Sequence, residues 1–211
     1  MNNKGELDGM QTTFFDNGKI WTKKTYKNGK RNGLWEEYYK NGNLKLKCTF
    51  IEIPNYLLNI GRYEEFHENG QLSKLIHFDD NGKKNGTVNQ YTKSGKIFSV
   101  TNYKNGIKNG EYISYHYDSD VISNKGQYVD DKQHGVFIYN NQKGELIKKN
   151  YYVKGDFVVS AYFDKKKNET FISYLKDGKL IKEQTNEDLN EIDLENINPH
   201  SNTYRAFRRG N

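Results

Sequence analysis

The chain has 211 residues, of which 34% are apolar and 14% aromatic, including 17 tyrosines and 11 phenylalanines. Disordered segments contain few aromatic residues, so this composition excludes a disordered chain, while the low apolar content argues against one thick core. The formal net charge is +6, and the lone Cys48 cannot form an internal disulfide. We therefore expect a thin structure whose elements are each half exposed.

Two features at the ends of the chain bear on its location and organisation. The N-terminal segment has no apolar run like that of a signal peptide, and no stretch approaches the ~20 apolar residues of a membrane span. The sequence therefore predicts a cytoplasmic protein that does not use a membrane as its partner. Residues 185–211 carry a net charge of −2 within a chain of +6, which predicts a separate C-terminal tail after residues 1–184.

A glycine-aromatic unit recurs from about residue 5 to residue 184. Relative to an anchor glycine, further glycines lie four positions before and nine after, and aromatic or apolar residues lie two, five, eleven and seventeen after. The anchors are separated by 24, 28, 25, 24 and 25 residues, and a seventh, eroded copy follows. The anchors of the six clearest copies are Gly9, Gly33, Gly61, Gly86, Gly110 and Gly135.

Each copy predicts a β-hairpin. In its second strand, apolar Leu44, Leu46, Cys48 and Phe50 alternate with polar residues, as in a half-buried strand. The first strand carries aromatic residues two and five positions after the anchor, which breaks this alternation and predicts a β-bulge. Asn-Gly pairs between the strands accept the positive φ of tight turns. The sequence thus predicts an all-β fold, an elongated antiparallel meander of six to seven stacked hairpins in a single sheet.

The chain departs from the pattern at four places, one of which is residues 153–170. Ser119 stands where a turn glycine is expected, and Asp131 stands where a connector glycine is expected. Residues 51–60 form a connector four residues longer than its counterpart, which we expect to bulge from one edge of the sheet. Its apolar side chains either bind a partner or fold back to cap the sheet, and the sequence leaves both open. These side chains are Ile53, Tyr56, Leu57, Leu58 and Ile60.

The pattern G-x-x-x-G-x-[WY]-x-x-[YF]-x-x-x-G-x-[LI], with its Tyr-Lys-Asn-Gly connectors, resembles the MORN-variant repeat over about residues 5–184. Within that class, the chain is similar to bacterial proteins of the YwqK-type toxin–antitoxin system antitoxin family. The resemblance implies a non-enzymatic antitoxin or immunity protein that binds a protein partner, a toxin or effector.

Residues with catalytic or metal-binding potential do not form a site in the sequence pattern. His67 and His116 occupy equivalent positions two repeats apart, roughly 19 Å along a sheet, and so cannot share a metal ion. Cys48 falls on the apolar side of its strand, as a buried residue would. Adjacent carboxylates such as Glu36 and Glu37 point to opposite faces of a strand. We therefore expect no enzyme activity, metal or cofactor.

Candidate partner-binding residues come from three places. Six positions after the anchor, we expect exposed side chains on the first strands. The long connector contributes apolar residues, and arginines alternate with aromatic residues in the tail. The candidates are Tyr39, His67 and His116 on the strands, Tyr56, Leu57 and Leu58 in the connector, and Tyr204, Arg205 and Arg208 in the tail.

Basic connectors suggest an alternative function. A cationic edge with aromatic residues nearby is typical of proteins that bind nucleic acid or other anionic ligands. The opposing interpretation is that lysine and asparagine are abundant throughout this chain, and that charged turns keep sheet edges soluble. The residues expected along this edge are Lys27, Lys30, Arg31, Lys83, Lys84, Lys104 and Lys108.

Overall fold

The computed structural model describes residues 1–54, 56–176, 179–185 and 187–194. The regular elements in these ranges are all β-strands, and none of the described segments forms a helix long and apolar enough to cross a membrane. The strands are β1 (Gly9–Phe14), β2 (Ile20–Lys27), β3 (Lys30–Tyr38), β4 (Leu44–Ile53), β5 (Tyr56–Phe66), β6 (Leu72–Phe78), β7 (Gly86–Tyr91), β8 (Ile97–Lys104), β9 (Ile107–Tyr115), β10 (Ile122–Val129), β11 (Lys132–Asn140), β12 (Leu146–Val153), β13 (Asp156–Asp164), β14 (Glu169–Lys176) and β15 (Lys179–Thr185).

The strand order follows the chain order from β1 to β15 in one open antiparallel sheet. This confirms the predicted all-β meander in a single sheet. Each copy of the repeat forms one hairpin, from β1–β2 to β13–β14, and β15 follows the last hairpin. The chain divides into two compact units, Met1–Ile107 and Lys108–Asn211.

The extra residue of the bulge lies in the second strand of the repeat, so the expectation of a bulge in the first strand is wrong. Glu37 and Tyr38 are neighbours in β3, but their partners in β4 are Leu46 and Leu44, which leaves Lys45 as the added residue. The first strand alternates regularly, because Trp35 Nε1 donates to Glu37 and Tyr38 Oη donates to Glu36. The aromatic residues at the second and fifth positions after the anchor therefore lie on opposite faces of the sheet.

The anchor glycine has a structural reason. Gly33 adopts φ +112°, a left-handed conformation that glycine accepts without a steric penalty. It lies where the β2–β3 register shifts opposite Thr25, and a Cβ atom at Gly33 would lie 3.3 Å from the Thr25 Cβ. Both the backbone conformation and the close approach therefore favour glycine at this position.

The connector turns tolerate the loss of glycine at Asp131. Asp130 and Asp131 both adopt positive φ, at 50° and 64°, as the two central residues of a type I′ turn require. The Asp131 N–H donates to the Lys108 carbonyl at 2.9 Å, as the Gly29 N–H donates to the Leu7 carbonyl at 2.8 Å. Aspartate is one of the residues that adopts this conformation at low cost, so the turn is preserved.

The turn at Ser119 is preserved in a different way. Asp118 takes the positive φ, at 54°, and the His116 N–H donates to the carbonyl of Val121, five residues further along. In the glycine-containing turn of β3–β4, the Tyr39 N–H donates to Asn43, only four residues further along. The fifth copy therefore has a turn that is one residue longer.

The long connector is not an irregular loop, so the expectation of a bulging segment is wrong. Residues 51–53 belong to β4, and residues 56–60 belong to β5, with Ile53 paired directly with Tyr56. Strand β5 begins five residues before its anchor Gly61, whereas β3 begins three before its anchor. The four added residues therefore lengthen the hairpin by two residue pairs, because pairing satisfies backbone groups that a loop would leave to water.

One face of the sheet, called the aromatic face, carries the residues two and seventeen positions after each anchor. In the first unit, Trp35 packs edge-to-face on Phe50 with ring centroids 5.0 Å apart. Cys48, paired with Trp35, is only 1% exposed, and its burial, with a smaller effect of Glu37, raises the pKa of its thiol to about 12. Such edge-to-face pairs stabilise a stripe that the sheet itself only half covers.

In the second unit, the same face has a tighter packing point. Phe137 is 1% exposed and lies edge-to-face against Tyr128 and Tyr152, at 5.7 and 5.5 Å. A Cβ atom at Gly126 would lie 2.5 Å from the Phe137 ring. Glycine at position 126 therefore makes room for the buried ring.

The opposite face of the second unit is covered by residues 187–194 of the tail. Lys149 anchors this segment, because its Nζ donates to the carbonyls of Asn190 and Ile192 at 2.9 and 3.0 Å, and burial lowers its pKa. This segment caps the sheet, whereas Tyr204, Arg205 and Arg208 lie outside the described residues. The buried core comprises Val159, Ala161, Ile172 and Tyr174 from the strands and Leu189, Ile192 and Leu194 from the tail.

Candidate binding surface

The end of the β4–β5 hairpin exposes three apolar side chains, Ile53, Tyr56 and Leu57, which we call the hairpin tip. Tyr56 is 67% exposed, Ile53 41% and Leu57 38%. Ile53 and Tyr56 form a cross-strand pair and so share one face, while Leu57, paired with Glu52, lies on the other. An apolar cluster of this kind at a turn is typical of a contact surface.

Leu58 has a different role from its neighbours. It is half-buried, and its Cδ2 lies 2.9 Å from where a Cβ atom at Gly82 would be, so it packs against the β6–β7 turn. Partner binding and capping of the sheet, the two alternatives for this segment, therefore apply to different residues. Leu58 covers the neighbouring turn, whereas Tyr56 and Leu57 remain exposed and available for contacts.

The base of the tip is held by a polar contact. The Arg31 N–H donates to Glu52 Oε2 at 3.0 Å, which ties the start of β3 to the extended part of β4. The Arg31 guanidinium lies 4.9 Å from the Trp35 ring centroid on the aromatic face. These contacts position the extended hairpin on the preceding repeat.

The side chains six positions after the anchor connect neighbouring repeats. Tyr39 Oη donates to the Phe66 carbonyl at 2.8 Å, and His67 Nε2 lies 3.0 Å from the Tyr91 carbonyl. In the second unit, His116 Nε2 lies 3.1 Å from the Asn140 carbonyl. Each reaches the residue five positions after the next anchor.

The expectation that these three side chains are exposed is therefore wrong. Tyr39, His67 and His116 are all half-buried, and each uses its polar atom on the neighbouring copy. A signal was present in the sequence, because side chains able to donate a hydrogen bond recur at this position in consecutive hairpins. Whether these residues also contact a partner stays a prediction.

The turn asparagines form a second connection that the sequence reasoning missed. Asn17 Nδ2 donates to the Lys40 carbonyl, Asn41 Nδ2 to the Glu68 carbonyl and Asn69 Nδ2 to the Lys93 carbonyl, at 3.1, 2.9 and 2.7 Å. The sequence analysis predicts for the Asn-Gly pairs only that they accept positive φ. Their regular spacing also places each amide beside the next turn.

A depression of about 350 Å³ lies between Tyr39, Tyr63 and His67 on the aromatic face. Its carboxylates already have partners, because Trp35 Nε1 donates to Glu37 at 3.1 Å and Tyr63 Oη donates to Glu65 at 2.8 Å. Burial and the hydrogen bond to Glu65 raise the pKa of Tyr63. The geometry offers packing rather than acid–base chemistry, and the described residues contain no group of metal-binding side chains.

Two lysines of the predicted basic edge lie over aromatic rings of their own units. Lys84 Nζ lies 4.9 Å from the Tyr103 ring centroid, so this cation is directed at an aromatic ring of its own unit. In the second unit, Lys108 Nζ lies 4.8 Å from the Tyr128 centroid. Acidic residues interrupt the lysines of the β6–β7 connector, where Asp79 and Asp80 precede Lys83 and Lys84.

Comparison with known families agrees with these hairpins. Residues 7–28, 31–52, 60–83 and 84–105 match the family model of the MORN repeat variant. These four segments are similar to MORN-variant repeats. They correspond to β1–β2, β3–β4, β5–β6 and β7–β8, all in the first unit. No curated protein matches the chain.

MORN-variant repeats indicate a repeat scaffold for binding. In the second unit, the copies anchored on Gly110 and Gly135 continue the same hairpin pattern, with the same register shift beside the fifth residue after each anchor. The hairpin tip lies at the connection between the second and third matched segments, at residues 53–57.

Proposed function

We propose that the chain is a non-enzymatic, protein-binding MORN-type scaffold that acts as a bacterial antitoxin or immunity protein in the cytoplasm. In this proposal, the scaffold neutralises a toxin or effector by direct binding. The observation that carries it is the hairpin tip, where a strand-paired and therefore rigid element presents Tyr56 at 67% exposure together with Ile53 and Leu57.

The physical argument concerns entropy and area. Two added residue pairs at ~3.4 Å per residue carry the tip roughly 7 Å further than the connector of an ordinary copy. Because both strands are paired, binding orders little additional backbone, which lowers the entropic cost of association. Tyrosine is enriched among the residues that dominate the binding energy of protein interfaces. The side chain of Tyr56 is largely exposed on the hairpin, so it is available to a partner.

The identity of the partner rests on the resemblance to YwqK-type antitoxins, which implies a toxin or effector. A nucleic-acid partner is less well supported, because acids interrupt the basic connectors, and Lys84 lies over a ring of its own sheet. Salt separates the two proposals. Binding to phosphates weakens steeply with ionic strength, whereas an apolar contact centred on Tyr56 is nearly insensitive to it.

The experiment compares capture by the wild type and by the double variant Tyr56→Ser, Leu57→Ser in extracts of the native host. We expect one stoichiometric protein with the wild type, identified by mass spectrometry, and its loss with the double variant. The double variant Val129→Ser, Val153→Ser is a matched control, because these valines are similarly exposed beside other connectors. It should retain the partner.

The captured protein is then expressed with and without the chain. Neutralisation predicts that growth arrest by the captured protein is relieved by the wild type but not by the tip variant. The melting temperature should hardly differ, because the replaced side chains are exposed. Retention of the partner by the tip variant, or loss of it only at high salt, would contradict the proposed protein contact.

A further inference from the structure

Strand β1 has an unpaired backbone edge. It pairs with β2 on one side, and within the described residues no strand pairs with its other side. In an antiparallel sheet, alternate backbone N–H and C=O groups of a terminal strand point outward without partners. Natural proteins usually protect such edges with charged residues, prolines or covering segments, because an open edge pairs readily with another strand.

The composition of β1 offers none of this protection by charge or proline. Its sequence, Gly-Met-Gln-Thr-Thr-Phe, contains no charged residue in a chain of which 28% is charged. The strand at the other end of the order, β15, contains Lys179, Lys182 and Glu183 among seven residues. Of the two terminal strands, β1 is therefore the one that a further strand can approach without meeting charge.

Two side chains of β1 are exposed on the same face. Met10 is 57% exposed and Phe14 is 59% exposed. Met10 and Thr12 have the same parity as Phe14 along the strand, so all three point to the face opposite the anchor-plus-two residue Gln11. On β2, the half-buried Ile20 pairs directly with Phe14 and continues this apolar surface one strand further in.

We propose that two copies of the chain join by antiparallel pairing of their β1 strands, around a two-fold axis that passes through Thr12 perpendicular to the sheet. This axis keeps each face of the sheet on its own side, so residues of the same parity must pair. Thr12 then meets its own symmetry mate, and Met10 of each copy lies opposite Phe14 of the other. The thioether–aromatic pairs formed in this way are favourable.

Other registers and partners are less complementary. An axis through Gln11 would place Phe14 opposite Asp8, an apolar ring against a carboxylate. Pairing of β1 with β15 would place the uncharged strand against the charged one, and because it is head-to-tail, it would form a ring or a filament rather than a two-fold dimer. Each chain carries a net charge of +6, so two chains repel each other. This repulsion is weakest where the strands that meet contain no charged residue.

The contact is small. Five residues from each copy, Met10 to Phe14, cover much less than the ~1,600 Å² of a standard interface. We therefore expect a dimer that dissociates on dilution. It uses a different surface from the hairpin tip, so its existence and that of the tip-dependent partner are independent.

Sedimentation equilibrium tests the dimer. The wild type should show a mass that rises with concentration toward that of two chains, and Thr12→Lys should remain monomeric, because the axis would bring two ammonium groups together. Gln127→Lys is the matched control, since it adds the same charge at an exposed strand position away from the β1 edge and should dimerise like the wild type. Circular dichroism verifies that each variant is folded.

Disulfide trapping tests the register. Thr12→Cys should form a covalent dimer when its thiols are oxidised with diamide, because the two cysteines face each other across the axis. Gln11→Cys, whose partner in this register is Thr13, should form far less. The wild type is the blank, since Cys48 is buried. A wild type that stays monomeric at its highest soluble concentration, a Thr12→Lys variant that still dimerises, or equal trapping at positions 11 and 12 would overturn the proposal.

Discussion

The first unit and the end of the second unit stabilise the same kind of sheet differently. In the first unit, few apolar side chains are buried, and Cys48 and Ile76 are among them. The side chains of the aromatic face pack on one another and remain half exposed. In the second unit, β13 contributes Val159 and Ala161, and β14 contributes Ile172 and Tyr174, to a core that is closed from one side by the tail. The array is one layer thick, whereas this end has two.

The difference shows how the last hairpin of a repeat array can be covered without a second sheet. A repeating unit presents the same half-buried surface at every copy, and each copy is covered only by its neighbours. After the last hairpin, no further copy follows among the described strands, and residues 187–194 provide the cover instead. Leu189, Ile192 and Leu194 supply buried apolar area, while Lys149 satisfies two carbonyls of the non-repeating segment.

The largest expected effect comes from shortening a leucine in each region. Leu189→Ala should lower the free energy of unfolding by about 2–5 kcal/mol, because it leaves a cavity in a closed core. Leu46→Ala, at a half-buried position in the one-layer array, should cost roughly half as much, since water can fill the space. Urea unfolding followed by circular dichroism gives both values. Equal losses would show that the two regions are equally closed.

Hydrogen bonds sharpen the comparison at an intermediate scale. Lys149→Met keeps the apolar stem but removes two charge-assisted bonds to the tail, which should cost about 1.5–3 kcal/mol. Tyr39→Phe removes one neutral bond between repeats and should cost about 0.5–1.5 kcal/mol.

Urea midpoints at pH 7 compare these two variants directly. Hydrogen exchange then locates the change, because Lys149→Met should expose amides of β13 and β14 first. If Tyr39→Phe proved the more damaging change, the connection between repeats would matter more than the closing segment.

The smallest expected effect is a dependence on alkaline pH in the first unit. Burial raises the pKa of Cys48 from 9.0 to about 12, and burial together with the Glu36 hydrogen bond raises the pKa of Tyr38 to about 12. Above pH 9 the unfolded chain loses the thiol proton while the folded chain keeps it, so stability should fall as pH rises from about 9 to about 12.

Urea midpoints between pH 8 and 10 measure this slope, before tyrosine ionisation dominates. Cys48→Ala should flatten it relative to the wild type, because the variant has no thiol to ionise. Cys48 should also react with a thiol reagent at the rate at which the first unit opens. Rapid reaction at neutral pH without unfolding would show that Cys48 is not sealed by the aromatic face.

Much of the repeat could be predicted from sequence because its determinants are local. The Asn-Gly turns and the alternation of apolar and polar residues are set by backbone geometry within one hairpin. The preserved turn at Asp131 follows from such local rules. The bulge does not, because its extra residue, Lys45, lies in the second strand and not in the first.

The remaining features depend on contacts between segments far apart in the chain. The length of the connector containing Pro54 predicts a loop, yet pairing of Ile53 with Tyr56 makes it a hairpin extension. The sequence predicts His67 at the surface, because one strand does not reveal the carbonyl of the next copy, 24 residues further along. Hydrogen bonds of this kind are decided by stacking, which no single repeat specifies.

The sequence by itself determined the period, the hairpin and its turns, since each follows from residues that are neighbours within one copy. Only the tertiary structure decided which side chains of that pattern are free and which are used between copies. It also decided that residues 187–194 cover β13 and β14, because burial there depends on the face that the last hairpin leaves open. The physical reason is that a thin sheet buries a side chain only where another segment covers it.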